Sequence, residues 1–121
     1  MKKTKMLKKN YEFRKVLSKG KYYSGELIEA FVLENKAKSN YLGLAISTKS
    51  GKAYQRNRIK RLLRENYKNN ESSIKNGQTI VFLWKKKKDI DLASFEKIKK
   101  DMQMILQKAE IIEEKEKWKK Y

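Results

Sequence analysis

The chain has 121 residues, enough for one domain with one hydrophobic core, and its 32 lysines and arginines outnumber 14 acidic residues to give a net charge of +18. A field of this strength attracts polyanions, so nucleic acid is the first partner to consider and an anionic membrane the second. The absence of cysteine and histidine excludes disulfide bonds, thiolate and imidazole catalysis, and metal sites built from those side chains.

No apolar run approaches the ~18 residues that cross a bilayer. The basic N-terminus is not followed by the apolar segment of a signal peptide. We therefore expect a cytoplasmic protein that folds as a single nucleic-acid-binding domain over residues 1–121, with residues 1–6 and 114–121 flexible at its ends.

The first predicted element is a helix over residues 11–19, with Asn10 as its N-cap. Phe13, Val16 and Leu17 recur at helical spacing and form one apolar stripe. Gly20 follows the last residue of this pattern, where glycine commonly ends a helix.

The next region reads as β-structure. Apolar and branched residues predict strands over residues 27–33 and 41–47, and Lys21–Ser24 is a possible short strand before them. Because residues 35–40 are few and polar, they predict a hairpin that pairs the two longer strands.

A second helix is predicted over Ala53–Asn70, after a loop that contains Gly51. One of its faces is apolar and carries Ile59, Leu62, Leu63 and Tyr67. Another face carries a basic row at a spacing of four residues, formed by Arg56, Lys60, Arg64 and Lys68. Like charges one turn apart repel each other, so this face indicates that an anion offsets the repulsion.

The run Gln78–Trp84 is almost continuously apolar, which predicts a central strand buried on both faces. Four lysines follow at residues 85–88, and an amphipathic helix is predicted over residues 92–113. The order α-β-β-β-α-β-α predicts an α+β sandwich in which helices cover one face of a sheet.

The distribution of arginine singles out the second helix. The chain has 27 lysines and only five arginines, and four of the five lie between Arg56 and Arg64. Arginine differs from lysine in its planar guanidinium, which binds phosphate in a bidentate manner and stacks on bases. Together with the loop at Gly51 and the positive end of the helix dipole, this cluster predicts a site for RNA phosphates.

Three segments together resemble the protein component of bacterial ribonuclease P. The first runs from Leu7 to Gly20 and reads Leu-Lys-Lys-Asn-Tyr-Glu-Phe-Arg-Lys-Val-Leu before the glycine. The second is Leu-Gly-Leu-Ala-Ile-Ser at residues 42–47, followed by Lys49 and Gly51. The third is Arg-Asn-Arg-Ile-Lys-Arg-Leu-Leu-Arg at residues 56–64.

The resemblance implies a function and one feature of the fold. In this family an RNA subunit removes the 5′ leader of precursor tRNA with Mg²⁺, and the protein binds the substrate and supports metal binding by the RNA. The protein itself is then neither catalytic nor the holder of a tightly bound metal, and it needs no obligate protein partner. The family fold contains a left-handed βαβ crossover, although about 98% of such connections are right-handed.

The resemblance also implies two RNA-binding surfaces. The surface for the catalytic RNA comprises Lys52, Arg56, Asn57, Arg58, Arg61 and Arg64. A cleft for the single-stranded leader comprises Phe13, Leu17, Phe31, Lys49 and Lys60. Leu17 stands where the family commonly has an aromatic residue, and Phe13 and Phe31 are also compatible with a place in the core.

Two other classes of protein compete with this interpretation. A ribosomal or DNA-architectural protein has similar charge, and preference for precursor tRNA over mature tRNA would distinguish them. A stand-alone metal nuclease would need carboxylates such as Asp89 and Asp91, but this pair is typical of a turn and helix N-cap. A membrane-bound basic helix is disfavoured because the arginine-rich helix lacks tryptophan and phenylalanine on its apolar face.

Overall fold

A computed structural model describes residues 3–113 of the chain, as five strands, three α-helices and short 3₁₀ turns. The elements, in chain order, are β1 (Thr4–Met6), α1 (Asn10–Lys19), β2 (Lys21–Ser24), β3 (Ile28–Glu34), β4 (Asn40–Ala45), α2 (Ala53–Asn70), β5 (Gln78–Trp84) and α3 (Phe95–Lys108). The bounds predicted for β2, α2 and β5 agree with the structure. The mixed α+β class is confirmed.

The five strands form one mixed sheet in the order β1-β4-β5-β3-β2. The most apolar strand, β5, is central: it pairs parallel to β4 and antiparallel to β3. The connection from β4 through α2 to β5 is therefore a parallel βαβ crossover between neighbouring strands. Its left hand stays a prediction of the family resemblance.

The predicted hairpin between the third and fourth strands is wrong. β3 and β4 do not pair, because β5 lies between them. Residues 35–39 instead pass across the beginning of β5, where the Asn35 amide N–H donates to the carbonyl of Gly77 at 2.7 Å. The Asn35 side chain also donates to Thr79 Oγ1 at 2.9 Å. The short polar connection is therefore hydrogen-bonded to β5 and does not form the tight turn of a hairpin.

Helices cover both faces of the sheet, not one. Ile80, Phe82 and Trp84 point to one face and join α2 and α3 in the buried core. The alternate residue Val81 points to the other face, where α1 packs across β3 and β5. α1 leaves part of this second face uncovered, where Phe31 and Leu83 are half-buried.

The N-terminal residues Thr4–Met6 pair parallel to β4, which corrects the expectation of a flexible segment for these three residues. Thr4 is buried, and its hydroxyl lies 2.7 Å from the hydroxyl of Tyr67 on α2. Burial raises the pKa of Tyr67 above its usual value. The predicted flexible segment 114–121 lies outside the described residues.

The helix ends differ slightly from prediction. Lys9, not Asn10, is the N-cap of α1, and its amide N–H donates to the Glu12 carboxylate at 2.9 Å. This bond, with a second from Lys8, holds the pKa of Glu12 below its usual value.

The third helix is shorter than predicted. Ser94 caps its start by accepting from the Lys97 amide at 3.2 Å. The helix ends at Lys108, and Glu110 adopts a positive φ of 58°. Beyond this turn Ile112 pairs with Ile74, so the residues predicted to be the last helical turn leave the helix to close the edge of the core.

Asp101 connects α3 to the turn between β2 and β3. Its carboxylate accepts the backbone N–H groups of Glu26 at 3.0 Å, Leu27 at 2.6 Å and Ile28 at 3.1 Å. A Cβ at Gly25 would lie 2.7 Å from the Asp101 carboxyl carbon, so glycine is needed for this close approach. The contact fixes the turn that leads into β3.

Candidate nucleic-acid interface

The basic residues of α2 lie on its outer surface because its opposite face is anchored in the core. Ile59 and Leu63 are fully buried against the sheet. The predicted RNA-binding residues of this helix are exposed (Asn57, Arg58, Arg61) or half-buried (Arg56, Arg64). The structure thus places the four arginines and Asn57 outside the core-facing side of α2, and Lys52 at its start.

Three of the arginines have distinct environments. Arg61 is open to solvent: its side chain is 62% exposed, and it forms a 3.9 Å ion pair with Glu65. Arg58 donates from Nη1 to the carbonyl of Ala93 at 3.1 Å, which fixes part of its guanidinium. The Nε of Arg56 is buried and has no hydrogen-bond partner among the described residues. An RNA oxygen would find donors at all three guanidinium groups.

The loop before α2 presents lysines next to the positive end of the helix. Ser47 Oγ accepts the Lys49 amide at 3.2 Å and begins a 3₁₀ turn over Thr48–Ser50. The Lys52 amide donates to Gln55 Oε1 at 2.8 Å, which caps the start of α2. Both lysine side chains are exposed, so they add mobile positive charge beside the helix N-terminus.

The predicted leader cleft corresponds to the sheet face that carries α1. Phe13 packs over Gly43 and Val81, and Phe31 is the cross-strand neighbour of Val81 on the same face. Phe13, Leu17 and Phe31 are half-buried and do not belong to the buried core cluster. They therefore present apolar and aromatic surface at the sheet, as a site for unpaired bases requires.

A groove of about 380 Å³ lies at the end of this sheet face towards the loop before α2. Its lining combines an aromatic ring, small residues and a run of lysines: Tyr22, Glu29, Ala45, Ser47, Leu83, Trp84, Lys85, Lys86 and Lys87. Tyr22 and these lysines were not among the site residues predicted from the sequence. Successive side chains of a strand point to opposite faces of the sheet, and Tyr23 packs on the core. This alternation is the sequence signal that could have placed Tyr22 on the other face.

Lys60 is placed differently from the other residues predicted for the cleft. It belongs to α2, which packs on the opposite face of the sheet from Phe13, and it follows Arg56 by one helical turn. Lys49 lies two residues beyond Ser47 at the groove end. The structure thus groups Lys60 with the arginines of α2, and its contact with a leader stays a prediction.

The alternative sites have structural explanations. Asp89 accepts the amide N–H of Asp91 at 2.9 Å and caps the turn Ile90–Leu92, as its N-cap interpretation predicted. Residues 3–113 contain no group of three or more acidic side chains placed to hold one metal ion. Within the same range, no helix has the length and apolar character needed to cross a membrane.

Comparison with known proteins gives one consistent result. The family model for Ribonuclease P matches residues 1–110. The chain is 38% identical over 101 residues to the ribonuclease P protein component of Clostridium botulinum strain Loch Maree, covering 78% of this chain and 91% of the relative. It is 37% identical over 110 residues to that of Clostridioides difficile, covering 89% and 94%.

Solved structures agree with the sequence relatives. The RNase P protein of Staphylococcus aureus superposes with a TM-score of 0.78 at 28% identity, covering 88% of this chain and 96% of that one. The protein from Thermotoga maritima gives a TM-score of 0.76 at 25% identity, covering 86% and 96%. With the family model spanning nearly the whole chain, this protein belongs to the family of ribonuclease P protein components.

Proposed function

We propose that this protein is the protein subunit of ribonuclease P, which binds the catalytic RNA through α2 and the 5′ leader of precursor tRNA through the sheet face that carries α1 and the groove at the end of that face. The observation that carries the proposal is the separation of two unlike surfaces on one small domain. One is a helix with exposed and half-buried arginines outside the core, and the other is a sheet face with aromatic residues and a lysine rim. Its relatives are named as ribonuclease P protein components, and ribonuclease P is the enzyme to which we assign both surfaces.

The arginine surface suits a folded RNA. Guanidinium groups at Arg58 and Arg61 offer paired donors to phosphate oxygens, and Asn57, which precedes Arg58, offers an amide that can contact sugar or base. The core-facing anchors Ile59 and Leu63 hold these side chains on a rigid helix. We assign the RNA subunit to this surface for that reason.

The sheet face suits a single strand. Phe13 and Phe31 are held against β-strands with part of each ring uncovered, and every base can stack on such a ring. The lysines at residues 85–87 lie along the groove, where backbone phosphates of the same strand would be neutralised. Binding here depends on unpaired nucleotides, which a leader has and mature tRNA lacks at its 5′ end.

The chemistry of cleavage belongs to the RNA in this proposal. The described residues offer neither histidine nor a cluster of carboxylates that fits a tightly bound Mg²⁺. The protein would contribute by binding the substrate and by neutralising phosphates near the RNA's own Mg²⁺ ions. A protein in this role acts in the cytoplasm, where bacterial precursor tRNA is made, and needs no second protein.

Binding measurements test the two surfaces separately. Arg61→Ala should weaken assembly with the cognate ribonuclease P RNA, because it removes an exposed guanidinium that can bind phosphate. The same change should leave the fold intact, since this side chain has little structural role. Lys100→Ala, on the exposed side of α3, is the matched control for loss of one charge. If about 6–10 phosphates are contacted, assembly should weaken ~10³–10⁵-fold between 50 and 200 mM salt. Equal affinity of both variants and a shallow salt dependence would remove α2 from this role.

The leader surface is tested in the assembled enzyme. Phe31→Ala should reduce affinity for precursor tRNA while leaving assembly and the affinity for leaderless tRNA unchanged. An equal loss for both tRNAs would show that Phe31 acts only in packing. If neither tRNA is preferred and unrelated RNA is still bound, the result would instead favour a general RNA-binding protein such as a ribosomal protein.

A further inference from the structure

Tyr22 is a large aromatic residue that the fold leaves open to solvent. It lies on β2, the edge strand of the sheet, and is 50% exposed. Its ring is nonetheless held in place, with its centroid 5.1 Å from that of Phe31 and a tilt of 53° between the planes. An exposed ring that is fixed by a neighbour loses little conformational freedom when a further ring stacks on it.

The register of the sheet places Tyr22 in line with the leader cleft. Tyr22 is the cross-strand partner of Phe31, Phe31 is the partner of Val81, and Val81 is the partner of Gly43, over which Phe13 packs. Directly paired residues project from the same face of a sheet. Tyr22 and Phe31 therefore lie side by side on this face, and Phe13 lies on the same line across the sheet beyond Val81. These three residues are called the aromatic row.

Glu29 restricts the Tyr22 ring further. The Tyr22 hydroxyl donates a short hydrogen bond to the Glu29 carboxylate, two strand positions before Phe31. This bond raises the pKa of the Tyr22 hydroxyl above its usual value. The negative charge of Glu29 disfavours a phosphate at this point, so a base rather than the backbone is the part of a nucleotide that fits against the ring.

Positive charge lies elsewhere in the same groove. Lys85, Lys86 and Lys87 line it together with Tyr22 and Glu29. A single strand that stacks a base on Tyr22 thus has cations within the same groove for its phosphates. This combination of a stacking ring and a basic wall is the usual construction of a site for single-stranded nucleic acid.

We infer that Tyr22 is a further base-stacking platform for the single-stranded leader, which extends the cleft beyond Phe13 and Phe31 to the β2 edge, with the three lysines binding the adjoining phosphates. The inference rests on the proposed function.

The inference is tested in the holoenzyme reconstituted with its cognate RNA. Precursor tRNAs would carry 2-aminopurine at single leader positions, so that stacking on a ring is read as quenching at one position. We expect Tyr22→Ala to abolish quenching at one leader position. We expect it also to lower affinity about 5- to 150-fold, the range for loss of one stacked base. Tyr22→Phe should retain both signals because it retains the ring.

Three comparisons keep the result decisive. Tyr11→Ala removes another exposed tyrosine, one that lines a different groove, and should change neither signal. Assembly with the RNA and affinity for leaderless tRNA should be the same for all variants, which a general loss of folding would not allow. If the Tyr22→Ala holoenzyme shows the same 2-aminopurine quenching and the same affinity for precursor tRNA as the wild type, Tyr22 is not a stacking platform. If the wild-type holoenzyme does not distinguish precursor from mature tRNA, the proposed function itself fails.

Discussion

Phe13 packs on Gly43 so closely that a Cβ at Gly43 would lie 2.7 Å from Phe13 Cε1. Leu7 and Val81 would also crowd this atom, at 3.0 and 3.1 Å. The glycine in the middle of β4 therefore serves to let α1 lie flat on the sheet. The position of α1 in turn sets the wall of the predicted leader cleft.

Gly43→Ala should for this reason displace Phe13 and weaken both the fold and leader binding. Overpacking of this kind costs about 1–3 kcal/mol of the free energy of unfolding. Combining it with Phe13→Leu, which lacks the clashing atom, should recover stability but not affinity for precursor tRNA. Chemical denaturation and tRNA titration measure the two effects. Full recovery of leader affinity in the double variant would show that the Phe13 ring does not contact the leader.

The hydroxyl of Tyr67 should stabilise the N-terminal strand in a pH-dependent manner. Tyr67→Phe removes its hydrogen bond with Thr4 and should cost about 1 kcal/mol at neutral pH. Because burial raises the folded-state pKa of Tyr67 above the usual 10.0, this contribution is complete below about pH 10. It should be lost as pH rises through the raised pKa, since the unfolded chain deprotonates first.

The measurement is the difference in unfolding free energy between the wild type and Tyr67→Phe from pH 8 to 11. Tyr54→Phe, at a ring that is 69% exposed, is the control for general alkaline effects. A difference that stays constant across this range would contradict a buried, neutral hydroxyl at Tyr67.

Asp101 should be essential for the turn before β3. Asp101→Ala would leave three backbone N–H groups without their carboxylate, with a cost on the order of 3 kcal/mol or more. Asp101→Asn should be intermediate, because its amide keeps one acceptor oxygen but turns the other position into a donor. Thermal unfolding should show stability decreasing from the wild type through Asp101→Asn to Asp101→Ala. Hydrogen exchange at the amides of Leu27 and Ile28 should become faster in the same order. Unchanged exchange at these amides would contradict the proposed role of the carboxylate.

The parts of the fold that sequence predicted well are those with a long local pattern. α2 has eighteen residues with a clear apolar stripe, and β5 is an apolar run buried on both faces, so both sets of bounds were correct. β1 was missed because three residues, two of them polar, carry no period, and the strand depends on pairing with β4 and on Tyr67. The false hairpin has a similar cause, since short separation favours pairing but β5 competes for both strands.

The candidate site shows the same division. The arginines of α2 could be placed from sequence because the apolar stripe fixes which side of the helix packs on the core, and all four arginines lie outside that stripe. Tyr22 could not, because its place in the aromatic row depends on the register of β2 with β3 and of β3 with β5. The grouping of Lys60 with α2 rather than with the aromatic residues likewise follows from which face each helix covers.

The most direct test of the central claim is cleavage by the reconstituted enzyme at low Mg²⁺. The protein, its cognate ribonuclease P RNA and labelled precursor tRNA would be combined, with protein alone and RNA alone as controls. Cleavage at the mature 5′ end only when both are present is the predicted result. Failure of the protein to stimulate the RNA would contradict its role as the subunit, and cleavage by purified protein alone would contradict the assignment of catalysis to the RNA.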